Sequence, residues 1–217
     1  MTQQDDKLQY PIICNIAKEV WKTKEAKMPE SEDPKMGDAG KRGILLEAMS
    51  ATLLLMAGAD VLIMRHPEAN KLAREIIAEA QGEVMAIRER VKGLPPKKVF
   101  LQVGATPLFA SVETSFTNDF IVLAGGINIA AGRRDGHYNY EMVTAQNPDV
   151  IIVAIMGSEG GMGAREKEEW LRFTPISAVR NGQVFVMDSD LICSPSPMTF
   201  VKGLEKIAEL IHPVAGK

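Results

Sequence analysis

Apolar positions along this chain fall into two kinds of run. Short dense runs bounded by turn residues read as strands: Tyr10–Ile16 (YPIICNI), Asp60–Met64 (DVLIM) and Asp149–Met156 (DVIIVAIM) as buried ones, and Val99–Val103 (VFLQV) and Val184–Met187 (VFVM) beside them. Longer stretches carry apolar residues three or four apart. Leu72, Ile76, Ala80, Val84, Ile87 and Val91 do so through Glu68–Lys92, while Arg74, Glu75, Glu79, Glu83, Arg88 and Glu89 fall elsewhere. That spacing predicts one amphipathic helix. It ends at Gly93 and Pro95-Pro96, and at ~1.5 Å per residue it spans roughly 37 Å. A second helix starts after Asp38, whose carboxylate suits an N-cap, and runs to about Met56 with Gly58 closing it. Ser115–Ala124, Tyr140–Gln146, Arg165–Arg172 and Phe200–Ile211 read as further helices, and Asn181-Gly182 as a turn.

Strands alternating with helices predict an α/β fold with parallel strands and crossover helices. The pattern divides the chain into a β-α-β piece over 1–67, the long helix and its turn over 68–96, and a parallel-sheet, Rossmann-like lobe over 97–217. Lys22–Gly37, rich in Lys, Glu and Pro, reads as a polar loop between the first strand and helix.

Composition narrows the function. The chain has 217 residues, enough for one large or two small domains, and its 46% apolar content suffices for a packed core. A net charge of −3 with no basic stripe argues against a nucleic-acid partner. Cys14 and Cys193 stand alone, without metal-ligand spacing, and read as buried thiols. Ile44–Ala59 is the most apolar stretch but carries Glu47 and is shorter than the roughly 20 residues of a membrane span, so it reads as a buried core helix. The start, MTQQDDKLQY, lacks the basic and apolar regions of a signal peptide. As written, the chain is expected to be cytoplasmic; with a leader removed, periplasmic or at the cell surface.

Candidate chemistry is sparse. No GxSxG, HExxH or Ser-His-Asp order is present, which leans away from an enzyme. The loop Gly157–Gly163 follows a strand and precedes a helix, so its N–H groups suit an anion or a ligand edge. It matches neither GxGxxG, since Glu166 stands at the third position, nor a P-loop. His66 follows a parallel strand, where α/β folds place ligands, and is a candidate axial metal ligand. His137 is a candidate cleft contact or a solvated side chain, and His212 a helix cap. Lys18, Glu19, Lys22, Lys24 and Glu25 read as a solvated charged loop, and Met49, Met56 and Met64 as core filler.

Four stretches carry a resemblance: IRERVKGLPPKKVFLQVG, NDFIVLAGGINIAAG, YEMVTAQNPDVIIVAI and VRNGQVFVMDSDLICSPSPMTFVKGLEKIAELIHP. Their order and content resemble the C-terminal lobe of the periplasmic binding proteins that deliver vitamin B12, iron–siderophores and haem to ABC importers. The resemblance implies two α/β lobes joined by a long connector helix, here Glu68–Lys92, and a ligand held between them. It implies a corrinoid such as cobalamin or another small-molecule metal chelate as ligand, and an ABC permease as partner. The cleft would be lined by Thr106, Pro107 and Phe109, by Gly157, Ser158 and Glu159, and by Ile192 and Ser194. The earlier run NIAKEVWKTKEAK, followed by GDAGKRGILLEAMSATLLLMAGADVLIMRHPEA, resembles the end of the delta subunit of acetyl-CoA decarbonylase/synthase. That is the small subunit of the corrinoid iron–sulfur protein, a TIM barrel, of which this piece would be roughly the last two strand–helix units of eight. This second resemblance implies an alternative role as an accessory subunit in methyl transfer, beside a corrinoid protein.

Overall fold

The computed structural model of the chain describes residues 11–155 and 161–213, apart from the side chains of Met56 and Pro197. The protein is α/β and forms two compact units that divide after Glu79.

The first unit holds β1 (Ile13–Asn15), α1 (Ile16–Val20), α2 (Lys24–Lys27), a 3-10 turn (Pro34–Met36), α3 (Ala39–Met56), β2 (Val61–Ile63) and the start of α4 (Pro67–Val91). β1 and β2 pair in parallel, with Ile13 opposite Val61 and Asn15 opposite Ile63. The apolar run starting at Tyr10 is cut short because the Asn15 side chain caps α1. Asp38 caps α3 as expected, accepting from Gly40 N at 2.7 Å, and Gly58 follows the helix at φ 98°.

Burial in this unit departs from the expectation. β1 and β2 are not buried strands: Ile13, Val61 and Ile63 face outward, and Leu62 turns inward to pack with Ile16, Val20, Ala51 and Ala73. α3 buries Ile44, Ala48 and Ala51 but exposes Leu45, Met49 and Leu53, so it is half-buried and Met49 is not core filler. Lys18 and Glu19 lie on α1 and Lys24 and Glu25 on α2 rather than in a loop; the Glu19–Lys22 pair is solvated, at 3.4 Å. Arg42 is buried and donates to the carbonyls of Met28, Asp33, Met36 and Gly37, which holds the 28–37 segment over the start of α3.

α4 is 25 residues long and unbroken through Gly82. Its later part belongs to the second unit, with β3 (Lys98–Gly104), β4 (Phe109–Ala110), α5 (Thr117–Leu123), β5 (Ile127–Asn128), α6 (Tyr140–Gln146), β6 (Val150–Val153), α7 (Met162–Leu171), α8 (Ser177–Arg180), β7 (Val184–Val186), α9 (Ser189–Ile192) and α10 (Pro197–Ile211). β3, β6 and β7 form the parallel centre of one sheet, in that order. β5 joins the start of β3 in parallel and β4 joins its end in antiparallel, so the sheet is mixed at that edge. β6 is buried on both faces, as a central parallel strand must be.

Successive residues of the central strands feed two cores. Val99, Leu101, Val150 and Ile152 pack with α4, α5 and α10 through Ile87, Val91, Phe120, Ile121, Leu204 and Ile211. Phe100, Ile151 and Val153 pack on the other face with Tyr138, Val143, Trp170 and Ile176 from the α6, α7 and α8 side. Helices therefore cover both faces of the sheet, and its strand ends are left to the loops.

Candidate functional site

The C-terminal ends of β3 and β6 lie side by side. Gln102 pairs with Val153, and Ala154 N donates to Gln102 O at 2.8 Å. In open α/β sheets this edge is where ligands sit. After Gly104 the chain turns through Thr106-Pro107 and returns as β4, with a register shift between Gln102 and Gly104. A Cβ on Gly104 would stand 2.9 Å from the Phe109 Cβ, so the close return requires glycine there. Thr106 and Pro107 are exposed at the tip, and Phe109 is half-buried behind them.

A second segment lies against this turn. Ala110 N donates to Gly136 O at 2.8 Å and Tyr138 N to Leu108 O at 3.0 Å. Gly136 has φ +56°, and a Cβ there would come within 2.5 Å of the Phe109 ring. His137 consequently stands edge-on to Phe109, ring centroids 5.0 Å apart, with its own ring exposed. Arg133 lies over the Tyr138 ring at 5.4 Å and pairs with Asp135 at 3.5 Å. Thr106, Pro107, Phe109 and His137 thus form one rim. His137, whose sequence context suits either a cleft contact or a solvated side chain, stands at this rim beside a glycine at positive φ.

The other expected contacts divide. Gly157, Ser158 and Glu159 lie outside the described residues. α7 begins just after them, behind Gly161 in the left-handed conformation. Ser194 is exposed and follows Cys193, whose thiol donates to Ala154 O at 3.4 Å, which ties this segment to the end of β6. Burial and then the nearby Asp190 push the Cys193 thiol up from its ordinary pKa, so it stays protonated. Ile192 is fully buried among the core residues. It packs beneath the segment that carries Ser194, and has no surface to offer a ligand.

Behind the rim lies a polar cluster. Gln102 is fully buried: its Oε1 accepts from Trp170 Nε1 at 2.7 Å, and its Nε2 donates to Gly104 O at 3.1 Å and Glu166 Oε2 at 2.9 Å. Tyr140 donates to the same Glu166 oxygen at 3.2 Å. Burial first, then the Glu166 charge, pushes the Tyr140 hydroxyl up to about 12, so it remains a donor across the physiological range. The Tyr140 ring stacks on Phe173, centroids 4.8 Å apart.

His66 belongs to the first unit and has a different task. Its Nδ1 accepts from Glu68 N at 3.2 Å, capping α4, so the neutral ring carries its proton on Nε2. Metal ligation through Nε2 would require that proton to move, and Nδ1 would then give up its contact with Glu68 N. The ring stacks on Trp21 at 5.9 Å. The buried Glu47 carboxylate accepts from Trp21 Nε1 at 2.8 Å, from His66 N at 3.1 Å and from Arg65 N. Among the described residues, no group of three or more His, Cys, Asp or Glu is placed to hold a metal ion, and no helix is long and apolar enough to cross a membrane.

The open cavities found among the described residues lie away from the rim. One of about 640 Å³ runs between α4 and α10 along Ile87, Arg90, Met198 and Val201. One of about 550 Å³ lies near Pro95, Pro96 and His212. Neither touches Thr106, Phe109 or Ser194, and strand-end chemistry is the better guide to a site in this fold.

Helices cover both faces of the sheet's parallel centre, and the loops at its strand ends form an exposed rim. Residues 68–191 match the periplasmic binding protein family, and the chain belongs to it. Among curated relatives, a vitamin B12-binding protein of Yersinia pestis (strain Pestoides F) is 34% identical over 91 residues, which cover 41% of this chain and 31% of that protein. The chain therefore spans well under half the length of the curated relatives it matches. A periplasmic binding protein from Veillonella parvula superposes with a TM-score of 0.57 at 25% identity, covering 67% of this chain and 52% of that one. An ABC transporter substrate-binding protein from Listeria monocytogenes EGD-e has a TM-score of 0.62 at 17% identity, over 94% of this chain and 78% of that one. S. aureus IsdE, solved with haem, has a TM-score of 0.58 at 18% identity, over 78% of this chain and 65% of that one.

Proposed function

We propose that this protein binds a corrinoid or another metal chelate, haem or an iron–siderophore, as the ligand-binding component of an ABC uptake system. The observation that carries the reading is the family match through β3 to α9, the span that builds the strand-end rim. In this reading Thr106, Pro107, Phe109 and Ser194, together with residues 157–159, meet the ligand, and 68–96 acts as the connector helix and its turn. Phe109 and His137 offer aromatic faces, and the exposed backbone around Thr106 offers polar edges, the mixture that orients a large planar ligand. Delivery to a permease outside the cytoplasmic membrane belongs to the same proposal, as does cobalamin as the first ligand to test, given the vitamin B12-binding relatives.

The test is titration of the full chain with cyanocobalamin, haemin and a ferric siderophore, followed by absorbance and by quenching of Trp21 and Trp170. Saturable binding of one chelate, weakened about tenfold by Phe109→Ala without loss of folding, is the expected result, the loss being that of one aromatic anchor. Absence of saturation by all three would end the reading.

A second reading rests on the likeness of the 1–67 segment to the end of the decarbonylase/synthase delta subunit: an accessory subunit beside a corrinoid protein. Co-purification with a corrinoid protein, without binding of a free chelate, would favour it. The structural likeness to a substrate-binding protein over 94% of the chain supports the first reading at the level of the fold.

A further inference from the structure

The Gln102–Glu166–Tyr140 cluster has a feature that ordinary core satisfaction does not require. Its members come from three elements, and two of those elements adjoin the segments that form the rim. Gln102 stands two residues before Gly104, where β3 leaves the sheet for Thr106-Pro107. Tyr140 opens α6 directly after the 133–139 segment. Glu166 sits on α7 between them and receives a donor from each.

The chemistry leaves little choice of arrangement. An indole nitrogen only donates, so the 2.7 Å contact with Trp170 Nε1 fixes Oε1 of Gln102 toward the indole and Nε2 toward Glu166. The Nε2 group then serves two acceptors, Gly104 O and Glu166 Oε2. Gln102 is fully buried, so the amide group that Glu166 receives could not turn to water if the carboxylate were removed. Tyr140 adds the second donor, and its ring is held by Phe173 and Trp170 at 4.8 and 4.7 Å. One carboxylate oxygen thereby couples the exit of β3 to the entry of α6.

We propose that Glu166 is a positioning residue of the ligand rim: through Gln102 and Tyr140 it sets the 104–109 and 133–139 segments, and so the placing of Thr106, Pro107, Phe109 and His137. The proposal rests on the rim being the ligand site, but its effect on the two segments is measurable without any ligand.

Hydrogen–deuterium exchange of the full chain, read by mass spectrometry, compares wild type with Glu166→Leu, Glu166→Gln and Tyr140→Phe. Removing a charged acceptor from buried donors should speed exchange about tenfold or more in peptides covering 104–110 and 133–139, while peptides of β6 keep their protection. Glu166→Gln, which keeps an acceptor oxygen, should restore most of it. Tyr140→Phe, which keeps the stacked ring, should loosen 133–139 alone and keeps the test open if Glu166→Leu does not fold. Exchange that rises uniformly through the second unit, rises only within α7, or does not change would overturn the positioning role. Chelate titration is the parallel arm: affinity should fall about tenfold in Glu166→Leu and recover in Glu166→Gln. Wild-type protein that binds no chelate would end the ligand reading, while the exchange result would still decide what Glu166 does.

Discussion

At the residue scale, His212 shows how burial turns a helix end into a pH response. It closes α10, its backbone N–H donating to Ala208 O at 2.8 Å, and its Nε2 is buried against Gly125. Burial, the largest cause, lowers its pKa, and Lys97 adds to the effect against the carbonyls of Gly125 and Ala124. The folded form therefore prefers the neutral ring. Above the unfolded value of about 6.5 both states are neutral and no stability depends on it. As pH falls through that value the unfolded chain takes the proton first, and the fold loses stability until the folded pKa is passed. Thermal unfolding between pH 7.5 and 5 should show a decline in Tm that His212→Gln reduces; equal slopes in the two proteins would show that other groups carry the response. Glu47 is the counterpart in the first unit. Three donors converge on a carboxylate that reads, in sequence, only as an interruption of an apolar helix. Nothing in local spacing tells that Trp21 and the Arg65-His66 backbone lie above it, because those contacts join residues 18 to 26 positions apart.

At the element scale, α4 was the most legible part of the chain and carries a direct test. Gly82 is exposed in mid-helix, and a Cβ there meets nothing within 4 Å. Gly82→Ala should stabilise the protein by about 0.5–1 kcal/mol, seen as a higher urea midpoint. Gly43 is the contrast. A Cβ there would lie 2.6 Å from the Trp21 ring, so the same change on α3 should destabilise by about 1–3 kcal/mol through overpacking. A neutral or stabilising Gly43→Ala would mean the indole has room to move. Long periodic runs such as that of α4 were readable because one buried face repeats many times. The two-residue strands β4 and β5 and the short helices α8 and α9 were not, since each is set by a neighbour rather than by its own pattern. β4 exists because Gly104 lets the chain fold back on β3, and α9 because Asp188 caps four residues before the chain turns. The exposed faces of β1 and β2 show the same limit from the other side: an apolar run predicts a strand, but whether anything covers its second face is decided elsewhere in the chain.

At the scale of the whole molecule, the two units differ in what holds them. The first has small cores rich in alanine, around Ile16, Val20, Ala51 and Ala73 and around Ile44, Ala48 and Ala69. The second sandwiches a sheet between two layers that include Phe100, Phe120, Trp170 and Leu204, all without exposed surface. Hydrophobic stabilisation scales with buried apolar area, at about 25 cal/mol per Å², so the second unit should withstand more denaturant. The chain contains only two tryptophans, and each unit has one, Trp21 in the first and Trp170 in the second. Trp170→Phe leaves fluorescence that reports the first unit alone, and Trp21→Phe leaves fluorescence that reports the second. Each variant reads the unit that it does not alter. The Trp21 signal should move at a urea concentration lower by about 1 M or more than the Trp170 signal, a gap of at least a kcal/mol or so at usual slopes. Coincident midpoints would mean that α4, which passes from one unit into the other, transmits enough stability to make the chain unfold as one cooperative body.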